Sequence, residues 1–465
     1  MTKFFFSRAI KIALVLCCAL PTITVAQEAQ SPAGTNNAQP DSNKEFYLRP
    51  SYWRPYDQRG INVFETSKQA DSIAFEGARV RLGAGFTQQY QNLRHENNGA
   101  NNNQTTNKLY PLTPGFMTSQ ANLMLDIQLA DGIRLNVTTY LSSRHHNEAW
   151  VKGGYIQFDK LPFKGEFWDE LMQYATIKIG HMEVNYGDAH FRRPDGGQTL
   201  YSPFMEGNIM DAFATEIGGE VYLQKNGLFG MVGITNGMIK GNVDSTYKTI
   251  QDDNIKRAPS IYLKGGIDKS LGETIRVRAS GSYYHNSSSA ASGLTLYGGD
   301  RTGSNYQNVM EKAAYGAALP ASTSIAFSGR FNPGFSKKVD AVMLNGFLKV
   351  KGLELFGTLE RAEGRNKTET ANRIANQLAG DVVYRFGKNE KLFVGGRYNT
   401  VKAKLAGMDN DVKVNRMAGA AGWFLTKNVL LKAELVQQKY LDFPATDFRA
   451  NGKFKGYVIE AVVGF

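Results

Sequence analysis

Residues 121 to 141 read ANLMLDIQLADGIRLNVTTYL, and the period of this stretch decides the fold. Ala121, Leu123, Leu125, Ile127 and Leu129 alternate with Asn122, Met124, Asp126 and Gln128. Asp131-Gly132 then supplies a tight turn, after which Ile133, Leu135 and Val137 are set against Arg134, Asn136 and Thr138. A period of two places apolar side chains on one face of a strand and polar ones on the other, and an Asp-Gly pair between two such runs marks a hairpin. Similar turns occur at Lys225-Asn226-Gly227, Lys269 to Glu273, Lys351-Gly352, Gly387 to Glu390 and Lys427-Asn428.

Extended outward, the same pattern predicts strands over 75–90, 119–129, 133–144, 152–160, 175–186, 211–223, 228–236, 259–268, 274–286, 340–350, 353–363, 370–386, 391–405, 412–425, 429–441 and 452–465. Connections alternate between long and short, with 161–174 (LPFKGEFWDELMQY) as the exception among the short ones. Its FWDELMQY portion reads as a short amphipathic helix at the rim, anchored by Phe167 and Trp168. An even number of strands with long loops at one end and tight turns at the other predicts an all-β protein, a transmembrane antiparallel barrel of about 16 strands with periplasmic turns and extracellular loops. A soluble sandwich or propeller is the competing architecture.

The ends of the chain agree with export. Lys3, Arg8 and Lys11 precede an apolar run from Ile12 to Val25, and Thr24-Val25-Ala26 offers a cleavage site before Gln27, so 1–26 reads as a signal peptide. Both cysteines, Cys17 and Cys18, fall inside it. Loss of its three cations would lower the net charge from +12 to +9. Residues 27–74 form a polar and then irregular stretch ahead of a barrel spanning 75–465. Its Phe46 to Ser72 portion, dense in aromatics, arginines and prolines, is expected to pack on the body. The alternative is a partial plug in a lumen with Arg49, Arg54 and Arg59 facing water. At the other end Tyr457, Ile459, Ala461, Val463 and Phe465 share a face, a final lipid-facing strand. A mean hydropathy of −0.35 looks soluble, yet alternation in a membrane barrel averages to the same value. The 49 Phe plus Tyr residues fit interfacial girdles.

Barrels of sixteen to eighteen strands enclose an aqueous channel unless something plugs them, so size argues for transport. The loop at 187–210 (GDAHFRRPDGGQTLYSPFMEGNIM) carries His190, Arg192, Arg193, Asp195 and Glu206; folded inward it would narrow the pore, with the arginines facing Asp195 and Glu206 across it. By alternation Arg79, Arg81, Arg134, Arg276, Arg278, Lys432, Glu354 and Glu434 face the lumen, with Glu360 and Glu460. The longest connection, 287–339, reads as a surface loop over the mouth with a short helix near Asn308 to Ala318, or as a lid that binds a partner.

Catalytic chemistry is not expected. His145-His146 beside Glu148 is a lone loop pair, no GxSxG elbow occurs, glycine-rich pieces lack a following helix, and Asp409-Asn410-Asp411 lacks the other positions of a calcium loop. No metal, cofactor or nucleic-acid motif is apparent, so the chain is read as a non-enzyme.

The stretch ATIKIGHMEVNYGD, from Ala175, followed by a long loop and then EIGGEVYL resembles the strand-loop-strand pattern of the porin O/P-like family, which contains phosphate- and anion-selective porins. The resemblance implies a trimeric outer-membrane porin passing small hydrophilic solutes or anions, inserted by the barrel assembly machinery, with Tyr457 and Phe465 as the C-terminal signal and outer-membrane lipid around it. Phosphate-selective members use a ladder of arginines and a lysine cluster. Here the lumen cations are interleaved with Glu354, Glu360, Glu434 and Glu460, a departure from strict phosphate specificity, and the net charge of +9 leads instead to the expectation of a mild anion preference. A plugged barrel with a structural or secretion-assembly role is the alternative.

Overall fold

The computed structural model describes residues 53–66, 68, 75–98, 107–144, 149–194, 196–238, 257–289, 293–313 and 326–465. The leader and polar tail, His145, His146, Glu148 and Asp195 lie outside the described residues, as does Arg49. The strands are β1 (Arg79–Glu96), β2 (Gly115–Phe116), β3 (Gln120–Ala130), β4 (Ile133–Ser142), β5 (Trp150–Phe158), β6 (Ala175–Glu183), β7 (Thr215–Lys225), β8 (Leu228–Thr235), β9 (Ser260–Leu271), β10 (Ile275–Asn286), β11 (Lys338–Val350), β12 (Leu353–Arg365), β13 (Arg373–Phe386), β14 (Leu392–Ala403), β15 (Val412–Thr426), β16 (Val429–Leu441) and β17 (Lys453–Gly464). β2 is a two-residue piece hydrogen-bonded to β1 at Tyr90 and Gln91. The other sixteen form one closed antiparallel barrel. β1 pairs with β3 from Arg79↔Gln128 to Thr87↔Gln120 and with β17 from Gly85↔Gly464 to Glu96↔Lys453, so the sheet has no free edge.

The first strand starts later and runs further than its pattern predicts, to Glu96. Beyond Tyr90 its outward residues are Asn92, Arg94 and Glu96, which carry no apolar alternation, although pairing with β17 continues to the end. The tight turns follow from residues that tolerate left-handed backbone. Between β7 and β8, Asn226 and Gly227 have φ of 53° and 79°, both of the sign a two-residue hairpin turn requires. A helix, α1 (Glu166–Met172), occupies the long connection at the short-turn end, with Phe167 exposed and packed edge-on to Trp168 at 5.0 Å. The helix expected from Asn308 is not formed through Lys312. Asn308 and Met310 have φ of 60° and 54°, and Lys312 bridges to Leu109 instead.

The molecule is inverted relative to a soluble protein. Large aliphatic side chains face out along the strands, among them Leu82, Leu344, Leu359, Val382, Leu435 and Ile459, whereas Arg134, Arg278, Arg416, Lys432, Glu434 and Glu460 are buried inside. Exposed aromatics gather at two levels. Tyr174, Tyr384, Phe386, Trp423 and Phe465 lie toward the short-turn end, and Phe116, Tyr283, Tyr398 and Tyr457 lie toward the long-loop end. Two aromatic belts flanking an aliphatic band match the two interfaces of a bilayer. Among the described residues no helix is long and apolar enough to cross a membrane.

Leu435, in the middle of β16 and 57% exposed, separates the two environments. In water, Leu435→Arg would change stability little. On a lipid face it should lose about 2–4 kcal/mol in reversible denaturant unfolding from liposomes. A change within about 0.5 kcal/mol contradicts a lipid-facing position.

Candidate functional site: the occupied lumen

After β6 the chain turns inward. Gly187, at φ 73°, redirects it, and its amide donates to Ser282 Oγ (3.0 Å) on the wall. A Cβ at this glycine would lie 2.1 Å from Met343 Sδ, so the backbone approaches the wall more closely than a side chain allows. From here the loop to Met210 runs through the lumen, and Tyr201, Phe204, Met205, Ile209 and Met210 are almost fully buried.

The ionic partners in this loop differ from the opposed rows expected across the pore. Arg193 pairs with Asp211, with Nη2 to Oδ2 at 2.9 Å, and lies over the Phe213 ring. Arg192 bonds Asn62 and lies 3.9 Å from Glu354 on the wall. His190 Nε2 is 2.9 Å from Asn185 Oδ1, and its Nδ1 is 3.2 Å from Glu183. Glu206 turns away from the loop arginines and accepts from Arg330 (3.0 Å), Ser304 (2.9 Å) and the Asn305 amide (2.7 Å). Burial alone would raise the Glu206 pKa, but Arg330, Arg416 and two backbone amides hold it below the ordinary carboxylate range. The physical reason is desolvation, since charges removed from water need close partners and each found one locally.

The wall charges follow the same rule. Arg134 pairs with Asp159, Arg81 with Asp126, and Lys432 with Glu460 at 2.7 Å. Arg276 binds Asp268 (2.7 Å) and Arg278 binds Asp188 (2.7 Å), while Glu354 accepts from Arg385 (2.8 Å). Glu434 takes the Met205 amide (2.8 Å) and the Tyr306 hydroxyl. Arg79 sits at the rim, part-exposed, 3.7 Å from Glu76. Several buried ions were not singled out from the sequence. They include Lys264, which lies 2.8 Å from both Glu65 and Asp188, and the Arg397–Asp381 pair at 2.6 Å. Alternation carried through every strand would have found them, since Lys264 lies between Leu263 and Gly265 and Arg397 between Gly396 and Tyr398.

Residues 53–66 are inside the barrel, at the short-turn end, and not packed on its exterior. The Gln58 amide donates to Lys427 O (2.8 Å) in the β15–β16 turn. Asn62 Nδ2 donates to Glu354 (2.6 Å), and Phe64 packs edge-on against Phe191 and Phe347 at 5.8 and 5.5 Å. Glu65 meets Arg278 at 2.6 Å. Burial would raise the Glu65 carboxyl, yet Lys264 and Arg278 bring it below its usual value. Arg54 is only part-exposed, at the edge of a cavity. Its guanidinium donates to Gly60 O (2.8 Å) and Phe191 O (2.8 Å) over the ring of Tyr201. Arg59 is half-exposed and pairs with Asp57 at 2.6 Å.

The described parts of the 287–337 connection, 293–313 and 326–337, also enter rather than covering the mouth. Asn305 Nδ2 donates to Pro194 O (2.7 Å), and Arg416 on β15 holds Gly207 O (2.8 Å) and Gly329 O (2.9 Å) together. A cavity of 220 Å³ remains between segment 53–66, the start of the inward loop and the β3–β7 wall. Its lining includes Trp53, Tyr155, Lys178, Glu183, Glu220 and Tyr222. Lys178 Nζ lies 5.2 and 4.8 Å from the Tyr155 and Tyr222 ring centroids, with no salt-bridge partner among the described residues. A second hollow of 470 Å³ opens at the short-turn rim beside Arg59, Lys349, Arg385 and Lys427. Among the described residues no group of three or more His, Cys, Asp or Glu side chains is placed to hold a metal ion.

No family model matches the chain, and no curated protein matches it in sequence. In structure it is similar to an anion-selective porin from Comamonas acidovorans (10% identity, TM-score 0.49, covering 83% of this chain and 100% of the porin). It is also similar to the outer membrane channel DcaP of Acinetobacter baumannii (12%, 0.47, 85% and 100%) and to Salmonella typhi OmpF in complex with daunomycin (11%, 0.46, 84% and 99%). Identities this low transfer neither a family nor a substrate to this chain.

Gly83 on β1 faces the lumen, where a Cβ would lie 2.1 Å from the Tyr56 ring. Gly83→Leu should therefore unseat residues 53–66 and leave the barrel closed. Hydrogen exchange of amides 58–63 is expected to rise at least tenfold, with β16 and β17 unchanged. Unchanged exchange at 58–63 contradicts the seating.

Proposed function

We propose that this chain is an outer-membrane channel for small hydrophilic solutes, exported through a cleaved leader and closed at rest by its own residues 53–66. The observation that supports it is the inversion of the barrel, with an aliphatic exterior between aromatic belts and an interior where ionised and amide side chains are buried beside an apolar cluster. A purely structural barrel gains nothing from burying so many ions, each of which costs desolvation. A solute path needs a polar wall.

In this reading His190, Arg192, Arg193, Asp195 and Glu206 belong to the constriction, and Arg79, Arg81, Arg134, Arg276, Arg278, Lys432, Glu354 and Glu434 set the field along the wall. Ion selectivity is weak. The wall cations are matched by carboxylates, and in the remaining cavity Arg54, Arg81 and Lys178 stand against Glu65, Asp126, Glu183 and Glu220. Carboxylates outnumber cations in that cavity, so the mild anion bias rests on the net charge alone. Tyr457 and Phe465 act as the terminal signal for the barrel assembly machinery, and three copies associate in the membrane. No catalytic role is assigned.

A second reading, a permanently closed barrel in a structural or secretion assembly, is favoured by the same seating of segment 53–66. Planar-bilayer recordings separate the two. The intact chain should show low or intermittent conductance, and deletion of 53–66 should raise it several-fold with only modest ion selectivity. Silence of both forms supports the closed component, and strong cation selectivity overturns the anion bias.

A further inference from the structure

The outer surface carries a feature that the channel does not use. At the long-loop end of five neighbouring strands the outward positions are cationic: Lys402 on β14, Lys413 on β15, Lys439 on β16, Lys453 and Lys455 on β17, and Arg94 on β1. Two positions further into each strand, or four, the same face becomes membrane-like, with Tyr398, Met417, Leu435, Tyr457 and Tyr90. The cations thus form an arc just above the apolar band.

The arc is unbalanced. Glu96 meets Lys453 at 2.5 Å and Asp411 meets Lys402 at 3.3 Å, which sets two carboxylates against six cations. Arg94, Lys413, Lys439 and Lys455 have no salt-bridge partner among the described residues. Pairing makes the imbalance worse, because like charges stand directly opposite one another across strands three times: Lys402↔Lys413, Lys439↔Lys453 and Arg94↔Lys455. Like-charged cross-strand pairs are destabilising, and the low-dielectric boundary of a bilayer makes the repulsion stronger than in water. Nor does the rim require charge. Near the long-loop ends of β4, β5, β8 and β9 the outward residues are Leu141, Val151, Ile234 and Ile261, while on β11 and β12 cations and carboxylates alternate as Lys338, Asp340, Arg361 and Glu363. Three repelling pairs in one arc call for an anion seated between them.

We propose that this arc binds the phosphate groups of phosphorylated lipids in the outer leaflet. The inference rests on the reading of the barrel as membrane-spanning. Strands 4.7–4.9 Å apart, roughly, bring the cations of neighbouring strands within reach of a single phosphate, and position in the headgroup zone selects a lipid-borne anion over a protein one. Each Lys or Arg near an anionic surface adds about a factor of five in affinity, so removing four should weaken binding by roughly six-hundredfold.

The test uses the full chain in phosphatidylcholine nanodiscs doped with lipid A or with its dephosphorylated form, with bound lipid counted by native mass spectrometry. The wild type should retain phosphorylated lipid A at least tenfold more than the dephosphorylated form. The R94Q/K413Q/K439Q/K455Q variant should lose that preference, and K413R/K439R/K455R should keep it. Equal retention of both lipids by the wild type, or an unchanged preference in the glutamine variant, overturns the proposal. Retention that millimolar inorganic phosphate abolishes also overturns it, by making the site one for free phosphate. Failure of the chain to enter nanodiscs at all would instead refute the membrane reading.

Discussion

Everything in this molecule depends on the closure of β1 onto β17. A strand edge exposed in hydrocarbon leaves unsatisfied amides and carbonyls that cost several kcal/mol each, roughly, so only a sheet without edges can cross a bilayer. The register from Gly85↔Gly464 to Glu96↔Lys453 provides that closure. Once the cylinder is closed, the pleat sends every second side chain outward, and the apolar exterior and ionised interior follow from sequence parity alone.

Closure also creates an interior that has to be filled or wetted. This chain fills much of it with three segments that come from different directions: 53–66 at the short-turn end, and the described parts of 187–210 and 287–337 from the long-loop end. They are held both by charge pairs and by a buried apolar cluster in which Tyr201, Phe204, Ile209, Leu296, Tyr306 and Phe331 pack against wall residues such as Val383 and Val458. Glu65 and Asp188, from two of these segments, converge on Lys264 and Arg278, which sit on β9 and β10. Because the four groups compensate one another, withdrawal of residues 53–66 would leave Lys264 and Arg278 short of one carboxylate. That cost opposes opening, and a solute or ion that supplied a replacement anion would reduce it.

How much of this was legible in the sequence divides along the same line. The barrel was, because alternation repeats over sixteen strands and the turn chemistry at Asp131-Gly132 or Asn226-Gly227 is local. The inward direction of Arg134, Arg278 and Lys432 followed from parity. Residues 53–66 carry no period, and their partners lie far away in the chain: Asn62 meets Glu354, and Glu65 meets Arg278. Only the closed cylinder brings them together. Ion-pair choice was hidden for the same reason. Arg193 prefers Asp211 and Glu206 prefers Arg330, contacts that depend on how two loops fold past one another inside the barrel. The cationic arc was written in the alternation of β14 to β17 but becomes an arc only when β1 joins them.

The central claim, an inverted barrel whose lumen holds its own N-terminal segment, is tested most directly by single spin labels, since the chain's only cysteines are Cys17 and Cys18. Labels placed in turn along Leu431 to Gln437 of β16, with one at Asn62, are read in liposomes against oxygen and a water-soluble nickel chelate. The account predicts that oxygen accessibility peaks at Leu431, Ala433 and Leu435, is low at Lys432, Glu434 and Val436, and that Asn62 is shielded from both reagents. Equal access of the nickel chelate to both faces of β16, or free access to Asn62, would contradict it.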